Sequence, residues 1–223
     1  TDKAVVEENR QINSLSNCRL IEQPANQGRA AIRNFLARQA TYPWLVFIDS
    51  DMVVCREDFL RRYAETTDAS IVDGGVVIGQ VQPGNLRSLY EKAAEQEHTF
   101  EKRQQSPYQD FHTANFMIER KLMLQHPFDE RFRYYGYEDV LFGKAMQQAG
   151  IPITHMDNPL SFEVFEDNAA FVANTEEGLR TLYTFREELK GYSRLLDTMS
   201  RLPRTPIHLW HKLFGKLETQ TLV

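Results

Sequence analysis

The chain has 223 residues, enough for one large α/β domain with a helical appendage. Its 26 Lys and Arg residues and 31 Asp and Glu residues give a formal net charge of −5, which argues against a nucleic-acid partner. Cys18 and Cys55 stand apart and suit a reducing compartment, and the sequence contains neither a signal peptide nor a membrane-spanning stretch. We therefore expect a cytoplasmic protein.

Hydrophobic periodicity predicts helices alternating with strands along the chain. Helices are expected at residues 4–15, 29–40, 57–66, 86–103, 138–149 and 175–189, with a last one after Pro206 that ends near Leu217. The helix at 29–40 has an apolar stripe of Ile32, Phe35 and Leu36, and Gly150 marks the end of the helix at 138–149. Strands are expected at residues 18–21, 44–48, 69–78 with a break at Gly74-Gly75, 113–118 and 151–156. This alternation predicts a mostly parallel, doubly wound sheet flanked by helices. Residues 1–170 would form this domain, and residues 171–223 would form a helical C-terminal extension that packs on it.

The chain is organised around five apolar residues, Trp44–Ile48, which end at Asp49-Ser-Asp51. Such a run is typical of a strand buried on both faces. In an extended chain residues i and i+2 point the same way, so both carboxylates would point alike. A divalent cation would offset their repulsion, and Mg2+ typically takes one or two carboxylates together with substrate phosphates. The pair therefore predicts a metal site, and a solvated turn after a strand is the alternative.

A second cluster combines aromatic residues with two carboxylates at the start of a predicted helix. Its members are Phe132, Tyr134, Tyr135, Tyr137, Glu138 and Asp139. Carboxylates at a helix N-terminus interact favourably with the helix dipole, so capping is one interpretation. In the other, one carboxylate is a general base beside a sugar hydroxyl and the aromatic rings stack on the sugar. Ordinary packing of the aromatic side chains is the alternative to stacking.

Several motifs, taken in chain order, resemble those of family 2 glycosyltransferases with the GT-A fold. They are Asn26-x-Gly28, Asn34, the strand ending in Asp49-Ser-Asp51, Asn115, and Gly136-Tyr-Glu138-Asp139. The stretch 128–139 is also similar to the chondroitin-polymerase and galactosyltransferase end of that superfamily. The resemblance runs from about Cys18 to Pro159 and implies inverting, metal-dependent transfer from a nucleotide-diphosphate sugar, with a UDP-sugar expected, to a glycan or other hydroxyl acceptor.

The resemblance also implies which residues hold the donor. They are Asn26, Gly28 and Arg29 in the nucleotide-side loop, together with Asp49, Asn115, Gly136 and Glu138. Asp49 would lie near the ribose and the metal, and Asp51 would bind the Mn2+ or Mg2+ that holds the diphosphate. Gly136 would leave room for the donor sugar.

Two carboxylates would act at the donor sugar and at the acceptor. The resemblance implies that Glu138 binds a sugar hydroxyl and that Asp139 is the base that deprotonates the acceptor. Many such proteins place a metal-binding histidine where this chain has Phe162, and we interpret the upstream His155 as structural.

The N-terminal end departs from the same family pattern, which begins with a hydrophobic strand. Here Thr1-Asp2-Lys3 lead directly into a helix, so we expect the chain to lack about the first 50 residues of the pattern, the length of two strands and a helix. The strand edge exposed in this way favours formation of a homo-oligomer.

The function and the C-terminal end each leave an alternative open. A catalytically silent sugar- or nucleotide-binding domain that retains the fold is the second functional interpretation. A nucleotidyltransferase is a third, but the Gly-rich, Lys-containing N-terminal loop of that class is absent from the sequence.

The mildly basic, amphipathic residues 201–217 are expected to pack on the domain, with peripheral membrane contact or a partner surface as the alternative.

Overall fold

The computed structural model describes residues 3–66 and 68–201. Its helices are α1 (Lys3–Arg10), α2 (Arg29–Gln39), α3 (Phe59–Ala64), α4 (Leu86–Glu95), α5 (Phe100–Gln105), α6 (Arg120–Gln125), α7 (Glu138–Gln148), α8 (Asn168–Thr184), α9 (Arg186–Leu189) and α10 (Arg194–Arg201), and a 3₁₀ turn covers Gln11–Ser14. Its strands are β1 (Trp44–Ile48), β2 (Met52–Val53), β3 (Ile71–Asp73), β4 (Val76–Ile78), β5 (Asn115–Glu119), β6 (Thr154–His155) and β7 (Leu160–Phe162).

The main sheet has the strand order β1-β5-β3-β6. Strands β1, β3 and β6 run in one direction, and β5 lies between β1 and β3 and is antiparallel to both. The expected α/β architecture, with sheets flanked by helices, is therefore confirmed, but the sheets are mixed rather than mostly parallel, because only β3 with β6 and β4 with β7 pair in parallel. The reversed direction of β5 is not visible in the hydrophobic pattern, because direction depends on how long connections cross the sheet.

A smaller sheet, β2-β7-β4, lies beside the main one. The strand predicted at residues 69–78 divides at Gly74-Gly75, so that β3 joins the main sheet and β4 the small one. Gly75 has φ of 81°, and a side chain at Gly74 would collide with the Tyr63 hydroxyl and the Asn115 amide. The buried Asn115 amide donates to the carbonyls of Gly75 (2.7 Å) and Asn158 (2.9 Å) and so holds the two sheets together.

Several predicted elements differ from the structure. Residues 18–21 form no strand; residues 18 and 19 are exposed, and no neighbouring strand pairs with the segment in the described part of the chain. The helix predicted at residues 86–103 is interrupted between α4 and α5. The structure adds α6 and β7, and it begins the helix expected at 175–189 earlier, as α8. The helix predicted after Pro206 lies outside the described residues.

Alternate residues of β1 point to opposite sides of the main sheet and into separate cores. On one side the rings of Phe47 and Phe116 stack with centroids 4.8 Å apart. On the other side the partly buried Val46 packs against a cluster that includes Met117 and Tyr63. Full burial of a side chain such as Phe47 contributes about 1.5–3 kcal/mol. The expected burial of β1 on both faces is wrong, because Trp44 and Ile48 are exposed at the ends of this edge strand; the strand is buried mainly through Leu45 and Phe47.

No helix within residues 3–66 and 68–201 is both long enough and apolar enough to cross a membrane.

Candidate active site

The segment Asp49-Ser-Asp51 is a turn between the two sheets. The Asp49 amide donates to the Ala114 carbonyl (3.1 Å), and the Asp49 carbonyl accepts from the Met52 amide (3.1 Å). The chain is therefore not extended through the two carboxylates, because β1 belongs to the main sheet and β2 to the small one. The turn places Asp49 at the end of the main sheet and directs Asp51 towards α4.

Arg33 on α2 joins the two predicted motifs. Its buried guanidinium donates to Asp49 Oδ1 at 2.8 Å and to Glu138 Oε1 at 3.0 Å. A third hydrogen bond, of 3.4 Å, reaches the carbonyl of Thr113. One cation thus fixes the carboxylate that follows β1 to the carboxylate that opens α7, and the two motifs form a single site.

Arg33 was not among the residues expected from the sequence, because hydrophobicity assigned the inner face of α2 to Ile32, Phe35 and Leu36. The buried residues of α2 are instead Ala30, Arg33, Asn34 and Ala37. These positions follow the i, i+3, i+4, i+7 spacing of one helix face. Two polar residues between two alanines on such a face were the signal that could have revealed the site.

Asn34 fixes the segment that leads to the aromatic loop. Its Nδ2 donates to the Phe128 carbonyl (2.9 Å), and its Oδ1 accepts from the Phe128 amide (2.9 Å). Nδ2 also donates to Glu130 Oε1 at 3.0 Å. Asn34 thus holds the start of the segment 128–138, and the preceding residue, Arg33, holds its end at Glu138. Helix α2 therefore determines the position of both ends of this segment.

The predicted turn at Asn26-Gln-Gly28 packs against the same segment. The Asn26 side chain accepts from the Gly28 amide at 2.9 Å, and Gly28 has φ of 84°. A Cβ at Gly28 would lie 2.8 Å from the carbonyl oxygen of Arg133. Gly28 is therefore needed both for its backbone conformation and for this close approach.

We expect Gly28→Ala to lower the free energy of unfolding by about 1–3 kcal/mol for the strained φ, plus a cost for displacing the Arg133 backbone. Gly84→Ala is a matched control, since Gly84 has φ of 80° and a Cβ added there would have no atom within 4 Å. Urea denaturation should show a larger loss for Gly28→Ala. Equal losses would mean that the contact with Arg133 contributes nothing.

The aromatic loop is held by three helices through Tyr135. The Arg29 guanidinium lies 4.5 Å from the centroid of the Tyr135 ring, and Arg87 Nη1 donates to the Tyr135 hydroxyl at 2.9 Å. The Tyr135 amide donates to Glu177 Oε2 at 3.0 Å. Tyr137, just before α7, has φ of 68°, a conformation that is uncommon for residues other than glycine and is enriched at functional sites.

Glu138 and Asp139 open α7 in different environments. Burial raises the pKa of Glu138, the neighbouring Asp139 adds to that rise, and Arg33 opposes it. Asp139 is only partly buried, and its Oδ1 accepts from the Val140 amide at 2.8 Å. A buried carboxylate in an ion pair is poorly placed to take a substrate proton, whereas Asp139 can be reached.

Arg29 is a second cation close to the carboxylates of the site. Burial alone would lower the pKa of Arg29, but the carboxylate of Glu138 and the Tyr135 side chain raise it, with a further contribution from Asp49, and the net result is a raised pKa. The predicted residues Arg29, Asp49, Glu138 and Asp139 therefore lie within electrostatic reach of one another.

Asp51 lies on the α4 side of the turn. Burial raises the pKa of Glu91 on α4, where Arg87 opposes the rise and the nearby Asp51 adds to it. Arg87 and Glu91 form an ion pair of 2.7 Å. Asp51 therefore makes a small electrostatic contribution at Glu91, which is itself paired with Arg87, and a divalent cation bound by Asp51 would offset it.

The residues present fit a cation only if substrate completes its coordination. Among the described residues, no group of three or more His, Cys, Asp or Glu side chains is placed to hold a metal ion. One oxygen of Asp49 is occupied by Arg33, which leaves Asp51 the more available carboxylate. A Mg2+ or Mn2+ ion that takes one or two carboxylates, with water and phosphate oxygens as its other ligands, matches this arrangement.

Two residues considered from the sequence lie away from the Arg33 contacts. Asn115 is fully buried between the sheets, where its Oδ1 accepts from the Tyr63 hydroxyl at 2.7 Å, so its part in donor binding remains a prediction. His155 is buried, with Nδ1 2.9 Å from Arg103 and Nε2 2.9 Å from the Pro107 carbonyl, in keeping with a structural role.

The fold is similar to that of solved glycosyltransferase structures. The mannosyltransferase PcManGT from Pyrobaculum calidifontis, in complex with GDP-Man and Mn2+, matches with a TM-score of 0.53 and 17% identity over 80% of this chain and 50% of that chain. Glucosyl-3-phosphoglycerate synthase from Mycobacterium tuberculosis, in complex with phosphoglyceric acid, matches with a TM-score of 0.45 and 17% identity over 79% of this chain and 63% of that chain. This chain thus spans about half to two thirds of their lengths. At this identity the likeness to PcManGT shows the fold alone, an α/β fold of the GT-A type.

The family follows from the sequence itself. Residues 1–127, more than half of the chain, match the model of glycosyl transferase family 2. The chain therefore belongs to glycosyl transferase family 2, as its ordered motifs indicated. A search of curated proteins finds no match.

Proposed function

We propose that this chain transfers a sugar from a nucleotide-diphosphate sugar to a hydroxyl group of a glycan or similar acceptor, with inversion and with a divalent metal. The observation that carries the proposal is the Arg33 bridge, which brings Asp49, at the metal-side turn, together with Glu138, beside the proposed base. Membership of family 2 supports the donor class. The complex of PcManGT with GDP-Man and Mn2+ supports a nucleotide sugar with a divalent ion.

In this proposal Asp139 takes the proton from the acceptor hydroxyl. The acceptor oxygen then attacks the anomeric carbon from the face opposite the diphosphate, and the bond from that carbon to the diphosphate oxygen breaks, which inverts the configuration. Glu138, held by Arg33, accepts a hydrogen bond from the donor sugar, and Arg29 faces the phosphates. A Mn2+ or Mg2+ ion bound by Asp51, with Asp49 beside it, would offset the charge of the departing diphosphate.

The proposal extends to features that lie beyond the family match. We propose a hexose as the transferred sugar, UDP as its carrier, and a role in polysaccharide biosynthesis in the cytoplasm. Contact with a membrane surface would come from the helix expected after Pro206, and residues 171–223 would form an extension packed on the domain at 1–170.

A catalytically silent binding domain is the second candidate function. It is favoured by the absence of a three-residue metal cluster from the described residues. It is opposed by the accessible Asp139 beside a fixed Glu138, since a domain that only binds does not need a second carboxylate at this position.

Metal-dependent donor binding should be visible as thermal stabilisation. A ligand present at 100 times its dissociation constant adds about 2.7 kcal/mol, which raises the melting temperature of a domain of this size by about 5–10 °C. We expect this shift with one nucleotide sugar and Mn2+, and most of it should disappear in Asp51→Ala. Glu187→Ala, which removes a carboxylate whose side chain is 78% exposed on α9, should keep it. If no nucleotide sugar shifts the protein with metal present, the proposed donor is wrong.

A further inference from the structure

A cleft runs along the aromatic loop on the side of α8. One cavity of about 530 Å³ lies between residues 131–134 and α8. A second, also of about 530 Å³, lies between the turn at residues 26–29, Tyr135 and α8. Both cavities are lined by Arg133, Tyr134 and Glu177. We call the two cavities together the Arg133 cleft.

The cations of the cleft differ in whether they are paired. Arg131 forms ion pairs with Asp129 at 2.6 Å and with Glu188 at 3.4 Å. Arg180 forms an ion pair with Glu176 at 2.6 Å. Within residues 3–66 and 68–201 the guanidinium of Arg133 makes neither a hydrogen bond nor an ion pair. Glu177, which also lines both cavities, has one carboxylate oxygen engaged by the Tyr135 amide at 3.0 Å. The shared wall therefore presents the guanidinium of Arg133, which has no partner among the described residues, near a carboxylate that is hydrogen-bonded to the backbone.

The backbone that carries Arg133 is fixed. Its carbonyl lies against Gly28, where a Cβ would come within 2.8 Å, and its amide donates to the Arg131 carbonyl at 3.0 Å. Beneath the first cavity the rings of Phe132 and Phe185 stack with centroids 4.0 Å apart. The side chain of Arg133 thus extends from a rigid base and loses less freedom on binding than it would on a mobile loop.

The neighbouring surface suits a saccharide. Tyr134 is 67% exposed beside Arg133, and its ring offers a flat apolar face with a polar hydroxyl, as sugar rings require. A guanidinium binds carboxylate and phosphate oxygens through paired hydrogen bonds. A neutral sugar would contact the ring alone, whereas a sugar that carries a carboxylate or phosphate would also pair with the exposed guanidinium of Arg133.

The cleft is also within reach of the proposed base. Arg133 and Asp139 are six positions apart in a loop that is held through Tyr135, so their Cα atoms lie at most about 20 Å apart. The second cavity adjoins the first along Arg133 and Tyr134, and Arg29, which lines it, interacts electrostatically with Glu138, Asp49 and Asp139. A glycan held beside Arg133 therefore lies next to the part of the molecule that carries the proposed base.

Resting on the proposed sugar transfer, we propose that the first cavity of the Arg133 cleft, between residues 131–134 and α8, binds the acceptor and that this acceptor is an acidic glycan. The second cavity, which is lined by the proposed donor-side turn at residues 26–29, is left to the nucleotide sugar. Arg133 pairs with a carboxylate or phosphate group on the glycan, Tyr134 packs against a sugar ring, and the chain of sugars continues towards Asp139. Arg133 would thereby select acidic over neutral acceptors.

Three dextrans with the same backbone test this inference: unmodified, carboxymethylated and phosphorylated dextran. Each is immobilised, and binding of the wild-type protein, Arg133→Gln and Arg61→Gln is measured at low salt. Arg61 is the control because it is an arginine on α3 whose side chain is 70% exposed. We expect the wild type to bind an acidic dextran and not the neutral one, and the two acidic forms tell carboxylate from phosphate recognition. Arg133→Gln should weaken that binding about tenfold or more, and Arg61→Gln should leave it nearly unchanged.

Donor binding is measured on the same proteins, so that failure of the acceptor inference differs from failure of the proposed function. The thermal shift with nucleotide sugar and Mn2+ should be the same in Arg133→Gln as in the wild type. The inference is overturned if no acidic dextran binds, if Arg61→Gln weakens binding as much, or if Arg133→Gln abolishes the donor shift. A protein that shows no donor shift but binds acidic dextran through Arg133 would contradict the proposed transfer alone.

Discussion

Replacing Arg33 by alanine is expected to lower the free energy of unfolding by about 3–5 kcal/mol, because it leaves the buried carboxylate of Glu138 and the partly buried one of Asp49 without the cation that is hydrogen-bonded to both. Glu138 is 3% exposed and pairs with Arg33 at 3.0 Å, and Asp49 loses its 2.8 Å partner in the same variant. Such a loss is a large part of the stability of an ordinary domain. Chemical denaturation of the variant and the wild type measures the effect.

Arg38→Ala is the matched control for this prediction. Arg38 lies on the same helix, its side chain is 52% exposed, and it approaches Glu130 at 3.7 Å, so its loss should cost about 1 kcal/mol or less. Arg33→Lys keeps one charge but not the fork that reaches both carboxylates, so we expect an intermediate loss. Similar stabilities for Arg33→Ala and Arg38→Ala would show that the buried bridge does not hold the site together.

The stability deficit of Arg33→Ala should also depend on pH. Burial already raises the pKa of Glu138, and removing the cation that opposes this rise should raise it further. An acid whose pKa is higher in the folded protein binds more protons when folded, so stability increases as the pH falls through that range. The deficit should therefore shrink as the pH is lowered towards the range in which an ordinary glutamate carboxyl titrates. A deficit that is constant over this range would contradict an uncompensated Glu138 charge.

Asp139→Asn is expected to lower the rate of sugar transfer by about 10²–10⁴-fold, the usual contribution of a positioned general base. Asparagine keeps the oxygen that accepts from the Val140 amide, so stability and donor binding should change little. Asp167→Asn is the control, since Asp167 lies at the start of α8 as its N-cap and its Oδ1 also accepts from a backbone amide, that of Ala170, at 2.8 Å. Near-normal turnover in Asp139→Asn would place the base elsewhere, with Glu138 as the next candidate.

The parts of the fold that could be predicted are those fixed by local pattern. The apolar run 44–48 predicted β1, and the glycine at position 150 correctly marked the end of α7. Residues 69–78 were expected to break at Gly74-Gly75, and they do. The pairing of β5 between β1 and β3 depends on contacts between distant segments, which no local pattern contains.

The residues of the candidate site were likewise predicted where a local pattern marks them and missed where their role depends on distant contacts. Asp49, Asp51, Glu138 and Asp139 were identified because acidic residues follow a buried strand or open a helix. Arg33 was missed because hydrophobicity alone assigned the wrong face of α2, and a buried arginine is stable there only through two carboxylates from distant segments. The aromatic cluster predicted a stacking surface that includes Tyr135. The hydrogen bonds of Tyr135 to α4 and α8 show that this residue also holds the loop in place.

Release of nucleoside diphosphate from nucleotide sugars tests the central proposal most directly. The protein is incubated with a panel of nucleotide sugars and candidate acidic and neutral acceptors, with Mn2+ or with EDTA, and the released diphosphate is quantified. We expect release from one donor with Mn2+, none with EDTA, and a strong decrease in Asp139→Asn. A folded protein that binds a nucleotide sugar with Mn2+ but releases no diphosphate from it would contradict catalysis and would support the silent binding domain.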